Sequence, residues 1–425
     1  MYKFLILINI ILCLSLIGCD SGVTIQDLDA SESDYHSGFY NPLIYKDNLF
    51  FEGSNGAKSY IYKIEDGKIH NAVKNKSSYK SNFNSPVVFD KKIIFEGNNG
   101  KNPLAYSFDG KQITVLTTTP SDYKSGFANP FVYRDTLYFE GYNGRTYKVY
   151  AYDGVTLKNV PYQDGYAGGF SYPAVYNGLV YFRGFNQRNS PSMFAIRDNK
   201  IIKPAGYNGD FKNPFAFDNK LYFEGSYRET NVAFVFDGKT VSPILSEDSD
   251  YLWGFDNAIA FNENLYFEGN CGVFDLDTKI YRIDNNSIRN IESRVSDYRK
   301  NFRFPIVFDK NLYFFGVYGI DWFNSRCYKY GGDKIRNISA GSSGYANDFA
   351  NPVIFNNNLY FQGRQTRSLS SARVFRYHSK QVKRIPSHNS SYADWFAEPV
   401  VHNDRLYFRG NDGEKPKVYV IKDGE

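Results

Sequence analysis

Nine copies of one block, Tyr-x3-Phe-x2-Pro-x11-Gly, run through this chain, and they limit its fold more than any other feature. The tyrosines are Tyr35, Tyr79, Tyr123, Tyr166, Tyr207, Tyr251, Tyr298, Tyr345 and Tyr392, and each is followed four residues later by phenylalanine. Proline follows in every copy but one, where Ala258 takes its place, and each block closes on a glycine between Gly53 and Gly410. The repeats start 41 to 47 residues apart, yet the proline-to-glycine distance never changes, so every insertion lies outside the block.

Each repeat reads as four strands. Three apolar residues follow the proline, as in Val87-Val88-Phe89, and a run that short predicts a first strand buried on both faces. A tight polar turn leads to a second strand such as Leu137-Tyr138-Phe139-Glu140-Gly141. A variable segment leads to a third strand, as in Lys148-Val149-Tyr150-Ala151-Tyr152. Asp-Gly then marks a hairpin, as at Asp109-Gly110, Asp153-Gly154 and Asp237-Gly238, before a shorter, more polar fourth strand. Four antiparallel strands per ~40–45 residues is the pattern of a β-propeller blade. The expected fold is therefore all-β: a single closed propeller of nine four-stranded blades over 19–425, beyond the usual range of roughly four to eight.

The chain ends predict how the ring closes. The ninth repeat stops at Asp423-Gly424-Glu425 without a fourth strand, whereas Ile25 and Leu28 follow Gly22 with the spacing of Ile113 and Leu116 after Gly110. Residues 19–32 thus read as a tether and the strand that completes the last blade. The variable loops and the crossovers between blades then share one face, and the tight hairpins occupy the other.

Before that strand, Lys3 and the predominantly apolar stretch Phe4 to Ile17 have signal-peptide proportions, too short for a membrane span of ~20 residues. Leu16-Ile17-Gly18-Cys19 resembles the bacterial lipoprotein box. The resemblance implies removal of 1–18, acylation of Cys19 (palmitate among the chains), anchoring in a lipid bilayer, and a place in the bacterial cell envelope facing the periplasm or the exterior. An ordinary secretory signal with an incidental cysteine is the alternative. Since the closing strand starts three residues after Cys19, at most about 10 Å, the hairpin face should look toward the membrane. Two cysteines remain, Cys271 and Cys327, in neighbouring repeats; in an exported protein they read either as a disulfide or as two buried free thiols.

The repeat also resembles a bacterial propeller repeat of the ELWxxDGT type. Leu137-Tyr138-Phe139, Asn143-Gly144, Val149-Tyr150 and Asp153-Gly154 follow that family's order, with Val-Tyr replacing Glu-Leu-Trp and the final Thr mostly missing. The resemblance implies an exported propeller and carries over no catalytic residue.

Composition narrows the function classes. The net charge of +5 is spread along the chain, so no basic face for nucleic acid is expected. With a mean hydropathy of -0.48 the chain is too polar for a polytopic membrane protein, and with 37 Tyr and 37 Phe too aromatic for a disordered one. The five histidines form no zinc-binding spacing, and Gly341-Ser342-Ser343-Gly344 lacks the spacing of a nucleophile elbow. Asp275, Asp277 and Asp284 make no EF-hand pattern. No cofactor and no catalytic residue are expected.

More than half of the Tyr and Phe sit at repeating positions and read as packing between blades. The rest can argue function. Trp253, Trp322 and Trp395, with Tyr318 and Phe323, fall in crossovers or the longest insert, where exposed rings suit a protein partner or a sugar face. Packing between blades is the competing reading. Glu52, Glu96, Glu140, Glu224 and Glu268 recur before the closing glycine, either as a carboxylate arc for a cation or basic ligand or as members of structural salt bridges. The expected function is a monomeric, membrane-anchored, non-catalytic scaffold binding a protein or envelope component on its loop face; the alternative is a glycan-binding or glycan-cleaving propeller.

Overall fold

The computed structural model describes residues 23–422, apart from 74–78, 117–120, 163–164, 205–206, 247–248, 273–276, 292–296, 319–324, 339–343, 366–371 and 389. The described residues form nine antiparallel sheets of four strands each. In blades 1 to 8 the strands lie side by side in chain order; blade 1, for example, holds Ser37–Tyr45, Asn48–Ser54, Ser59–Glu65 and Lys68–Asn71. Blade 9 takes three strands from the end of the chain, Asp394–His402, Arg405–Asn411 and Pro416–Lys422, and its outermost strand from the beginning, Thr24–Asp27. Thr24 pairs with Lys422 and Asp27 with Tyr419, the register expected from the split repeat. First strands of successive blades touch all round the ring, that of blade 9 meeting that of blade 1. The ring is closed, and the first strands form its inner wall.

The turns follow from the residues in them. Lys46-Asp47, Asp90-Lys91 and Asn356-Asn357 have positive φ at both positions, the geometry whose twist matches a two-residue hairpin. The Asp-Gly pairs cap the outer hairpins: Asp109 Oδ1 accepts the amides of Lys111 and Gln112 at 2.8 Å each, and Gly110 takes φ +99°.

Inside each blade the crossover tyrosine is the keystone. The Tyr123 ring stands edge-on to Tyr150 of the third strand and Phe139 of the second. Its hydroxyl donates to the Gly126 carbonyl and accepts the Ala105 amide from the preceding blade. Tyr251 bonds Gly254 and Ala233 in the same way, and Tyr35 bonds Gly38 and Val418, so the joint between the last and first blades is built like the others. The closing glycine lies between these rings: a Cβ on Gly141 would sit 2.9 Å from Tyr150 and 3.0 Å from Tyr123. The phenylalanine four residues on is fully buried, as with Phe39, Phe83 and Phe170.

The first strand departs from the expectation of burial on both faces. Ile44, Val88, Val132, Val175, Val307, Ile354 and Val401, each two residues past the proline, are 37–42 % exposed. Each belongs to the innermost strand, whose outward-turned residues meet the central channel rather than another sheet. The strand also bulges. The residue before the proline, or before Ala258 in blade 6, has φ between +47° and +52° in every blade, and the ladder shifts register there wherever its pairs bracket that residue.

Candidate functional site

The recurring glutamates are occupied by the fold. Glu52 accepts the backbone amide of Phe83 in the next blade at 3.2 Å, and Glu96, Glu224 and Glu268 do the same for Phe127, Phe255 and Phe302. Glu140 takes the Phe170 amide at 2.5 Å, and burial raises its carboxyl pKa although this hydrogen bond works the other way. The asparagine before the proline completes a clamp, since Asn41 and Asn129 donate to the carbonyls of Phe83 and Phe170. In two of the blades without the glutamate the clamp is rebuilt. Gln362 accepts the Phe396 amide at 3.1 Å, and in blade 5 the Phe211 amide is taken by Asp210, which is held by Arg183 at 2.6 Å. The five carboxylates are therefore joints between blades, not an arc for a ligand. Glu224 also carries a lysine ion pair of the expected kind, with Lys212 at 3.3 Å.

The aromatic candidates separate. Trp253 is half-buried, packs against the core of blades 4 to 6 and donates Nε1 to the Gly272 carbonyl at 3.3 Å. Packing holds it. Tyr318 is half-buried beneath the Arg326 guanidinium, 4.0 Å from the ring centroid. Trp322 and Phe323 lie outside the described residues, as does Cys19. Trp395 stands apart: it is 46 % exposed with φ +68°. Its position, three after the crossover tyrosine, holds Gly, Asn or Asp in the other blades. Those residues visit left-handed backbone at low cost; a bulky aromatic there is an outlier.

Two further aromatics were not legible as candidates in the sequence. Tyr172 and Phe304 precede their prolines at φ +52° and +51°, where five other blades have asparagine, and both are more than 40 % exposed on the inner strands. Between them, on blades 5 to 7, the residue one place earlier is charged: Lys212, Asp256 and Arg303. Burial and the neighbouring Glu268 raise the Asp256 pKa, and Asn213 donates to its Oδ1 at 2.6 Å. Elsewhere the same position holds Tyr40, Asn84, Ser171 or alanine. One side of the channel wall is thus charged and aromatic, and the signal for it is departure from the repeat at two adjacent positions of the first strand.

Cys271 and Cys327 are both free thiols, so the disulfide reading is corrected. Cys271 lies just past the second strand of blade 6 against one core cluster, with Sγ donating to the Asp277 carbonyl at 2.9 Å. Cys327 is fully buried in another cluster, between blades 7 and 8, and burial raises its pKa well above the usual range. Among the described residues no group of three or more His, Cys, Asp or Glu is placed to hold a metal ion, and no helix is long and apolar enough to cross a membrane.

No protein family and no curated protein matches the chain. Among solved structures it is similar to a Mycobacterium tuberculosis puromycin-hydrolyzing peptidase, at 10% identity and a TM-score of 0.41 over 91% of this chain and 60% of that one. It is similar also to the β-propeller domain of the Trilobed protease from Pyrococcus furiosus, at 11% identity and a TM-score of 0.40 over 83% of this chain and 98% of that one. A third likeness is to the tricorn protease, at 11% identity and a TM-score of 0.37, over 92% and 46% respectively. The chain thus spans about 60% of the first of these proteins and less than half of the last.

Proposed function

We propose that this chain is an exported, lipid-anchored propeller that binds a protein or envelope component through its loop face without catalysing a reaction. The observation that carries the reading is Trp395, an exposed ring held on left-handed backbone at the loop end of an inner strand. Such backbone costs roughly 1–2 kcal/mol in an L-residue, and the repeat supplies cheaper residues at every equivalent place. Exposed tryptophan on a rigid scaffold is the residue type that dominates protein interfaces.

The anchor rests on Leu16-Ile17-Gly18-Cys19. Val23, four residues later, is buried in the core of blade 9, and Thr24 pairs with Lys422 at the hairpin end of the sheet. Four residues span at most about 14 Å. An acylated Cys19 therefore keeps the hairpin face close to the bilayer and turns Trp395 away from it. Cross-linked capture from the native envelope tests the reading: a partner held by the wild type is lost on Trp395→Ala. Retention of every partner by that variant sinks it. Replacement of Cys19 by alanine is expected to release the protein from the membrane fraction.

A second reading, glycan binding in the channel, is favoured by Tyr172 and Phe304 flanking Lys212, Asp256 and Arg303, since exposed rings beside polar groups suit sugar faces. A glycan array separates the two. Binding lost in Tyr172→Ala and Phe304→Ala supports it, and an array silent for the wild type removes it.

A further inference from the structure

Four blades carry the same carboxylate seat. The residue before the crossover tyrosine is Asp34, Asp122, Asp250 and Asp297 in blades 1, 3, 6 and 7, each within a Ser-Asp-Tyr triplet. Each carboxylate accepts the hydroxyl of a third-strand tyrosine: Tyr62, Tyr150 and Tyr281 at 2.8 Å, Tyr328 at 3.1 Å. A cation two residues before that tyrosine adds an ion pair in three of them, from Lys148 at 3.0 Å, Lys279 at 2.5 Å and Arg326 at 2.9 Å. The fourth strand contributes Asn71 or Asn337, and the residue two past the closing glycine contributes Asn55 or Asn143.

Blade 8 keeps a cation on the third strand and a donor on the fourth, but it has Phe375 where the sister blades have the tyrosine, and it drops the acid. Arg373 pairs with closing glycine Gly363 as Lys148 does with Gly141. Arg384 pairs with Phe375 as Asn337 does with Tyr328. Gln365 holds the Asn143 position and accepts from Arg384 Nη1 at 3.1 Å. Where the sister blades have aspartate, blade 8 has Gly344, exposed at φ +70°. A Cβ there would meet only the flexible end of Gln365, at 3.2 Å.

Among the described residues neither arginine has an ion-pair partner within 4 Å. Burial and then Arg373 pull the Arg384 pKa down, as expected for like charges pressed together. The other titratable groups facing them are Tyr392 and Asp394. Asp394 feels Arg373, yet burial raises its pKa and its Oδ1 has no hydrogen-bond partner. The next residue is Trp395.

We infer that Arg373, Arg384 and Gln365 form an aspartate seat without its aspartate, and that it receives an acidic side chain of a protein partner whose neighbouring residues pack on Trp395. The inference rests on the reading of this face as a binding surface. An aspartyl side chain suits the seat because sister blades hold one against the third-strand cation and the fourth-strand donor; with Phe375 in place of the tyrosine, the two arginines supply the charged donors. Arginine's planar fork suits a carboxylate better than the lysine found in two of those blades, and Arg and Trp are both enriched among the residues that carry protein interfaces.

The test uses the full mature chain and a fluorescein-labelled peptide bearing Ser-Asp-Tyr between glycines, with Ser-Asn-Tyr as control. The Asp peptide is expected to bind at least about tenfold more tightly, weakening with salt as a two-arginine site requires. The double change Arg373→Gln with Arg384→Asn, which restores the sister-blade asparagine, removes that preference. Gly344→Asp, which supplies the missing acid from within, removes it too. A single cooperative unfolding transition in each shows that the variants fold, the midpoint of Gly344→Asp being lowered by the left-handed backbone at that position. Equal binding of the two peptides, no binding of either, or a preference unchanged in both variants overturns the seat. Stronger binding of a glucuronate oligosaccharide than of the Asp peptide overturns the choice of a protein partner. If Trp395→Ala loses the envelope partner while the arginine variants keep it, the seat fails and the binding-face reading stands; if all variants keep it, both fail.

Discussion

Two kinds of residue carry backbone or steric demands here, and only one kind is explained by packing. The closing glycines are required because two rings converge on each. Gly141→Ala is expected to destabilise the fold by about 1–3 kcal/mol, since both rings must shift in a filled core; denaturant unfolding measures it, and an unchanged midpoint contradicts the account. Trp395 is the reverse case. The repeat imposes left-handed backbone at this position, its carbonyl accepting the crossover tyrosine hydroxyl, and tryptophan meets that demand at higher cost than the Gly, Asn or Asp of the other blades, so Trp395→Gly is expected to stabilise by roughly 1 kcal/mol while abolishing partner binding. A variant losing both stability and binding would make Trp395 a structural ring. The repeat made the glycine legible; the tryptophan's strain needed backbone angles.

At the scale of strands and blades, the joint is a side-chain clamp on the next blade's phenylalanine. Gln362 performs it without charge, which predicts the behaviour of Glu140. Glu140→Ala leaves the Phe170 amide without its partner and is expected to cost about 1–3 kcal/mol. Glu140→Gln keeps the acceptor and is expected to match or exceed the wild type at pH 7. The sign follows from the raised pKa. A carboxyl with a folded pKa above its unfolded value stabilises most below the unfolded pKa, near 4.3, and loses that stabilisation as pH rises through the folded value. The advantage of Gln should therefore be present at pH 7 and fade toward pH 4. Chemical denaturation at both pH values checks this, and a Gln variant weaker at pH 7 would mean the clamp needs its charge. The sequence placed these glutamates at equivalent sites but not their partners, because the amide they hold lies some 30 residues away in the next blade.

At the scale of the molecule, closure depends on four residues from the start of the chain. Ile25 is fully buried against Ile421 in the last blade, and Asp27 accepts the Ser391 amide at 2.9 Å and its hydroxyl at 2.7 Å. Ile25→Ala is expected to cost about 2–5 kcal/mol, the range for emptying a buried aliphatic site. Because it opens the joint between first and last blades, unfolding should broaden or split into phases as well as shift. A single transition at the wild-type midpoint would mean that the ring does not depend on this strand.

The sequence by itself determined the blade count, the strand order and the split ninth blade. Those follow from periodicity and turn chemistry, which are local properties of the chain. It also separated repeating aromatics from the few that do not repeat. Only the tertiary structure decided which of these are free. It tied Trp253 to Gly272, gave the glutamates backbone partners, and kept Cys271 and Cys327 in different core clusters. It left Trp395 exposed and brought Arg373 and Arg384 close together. The physical reason is that function here lies in departures from the repeat, and a departure has meaning only beside the neighbours that long-range strand pairing supplies.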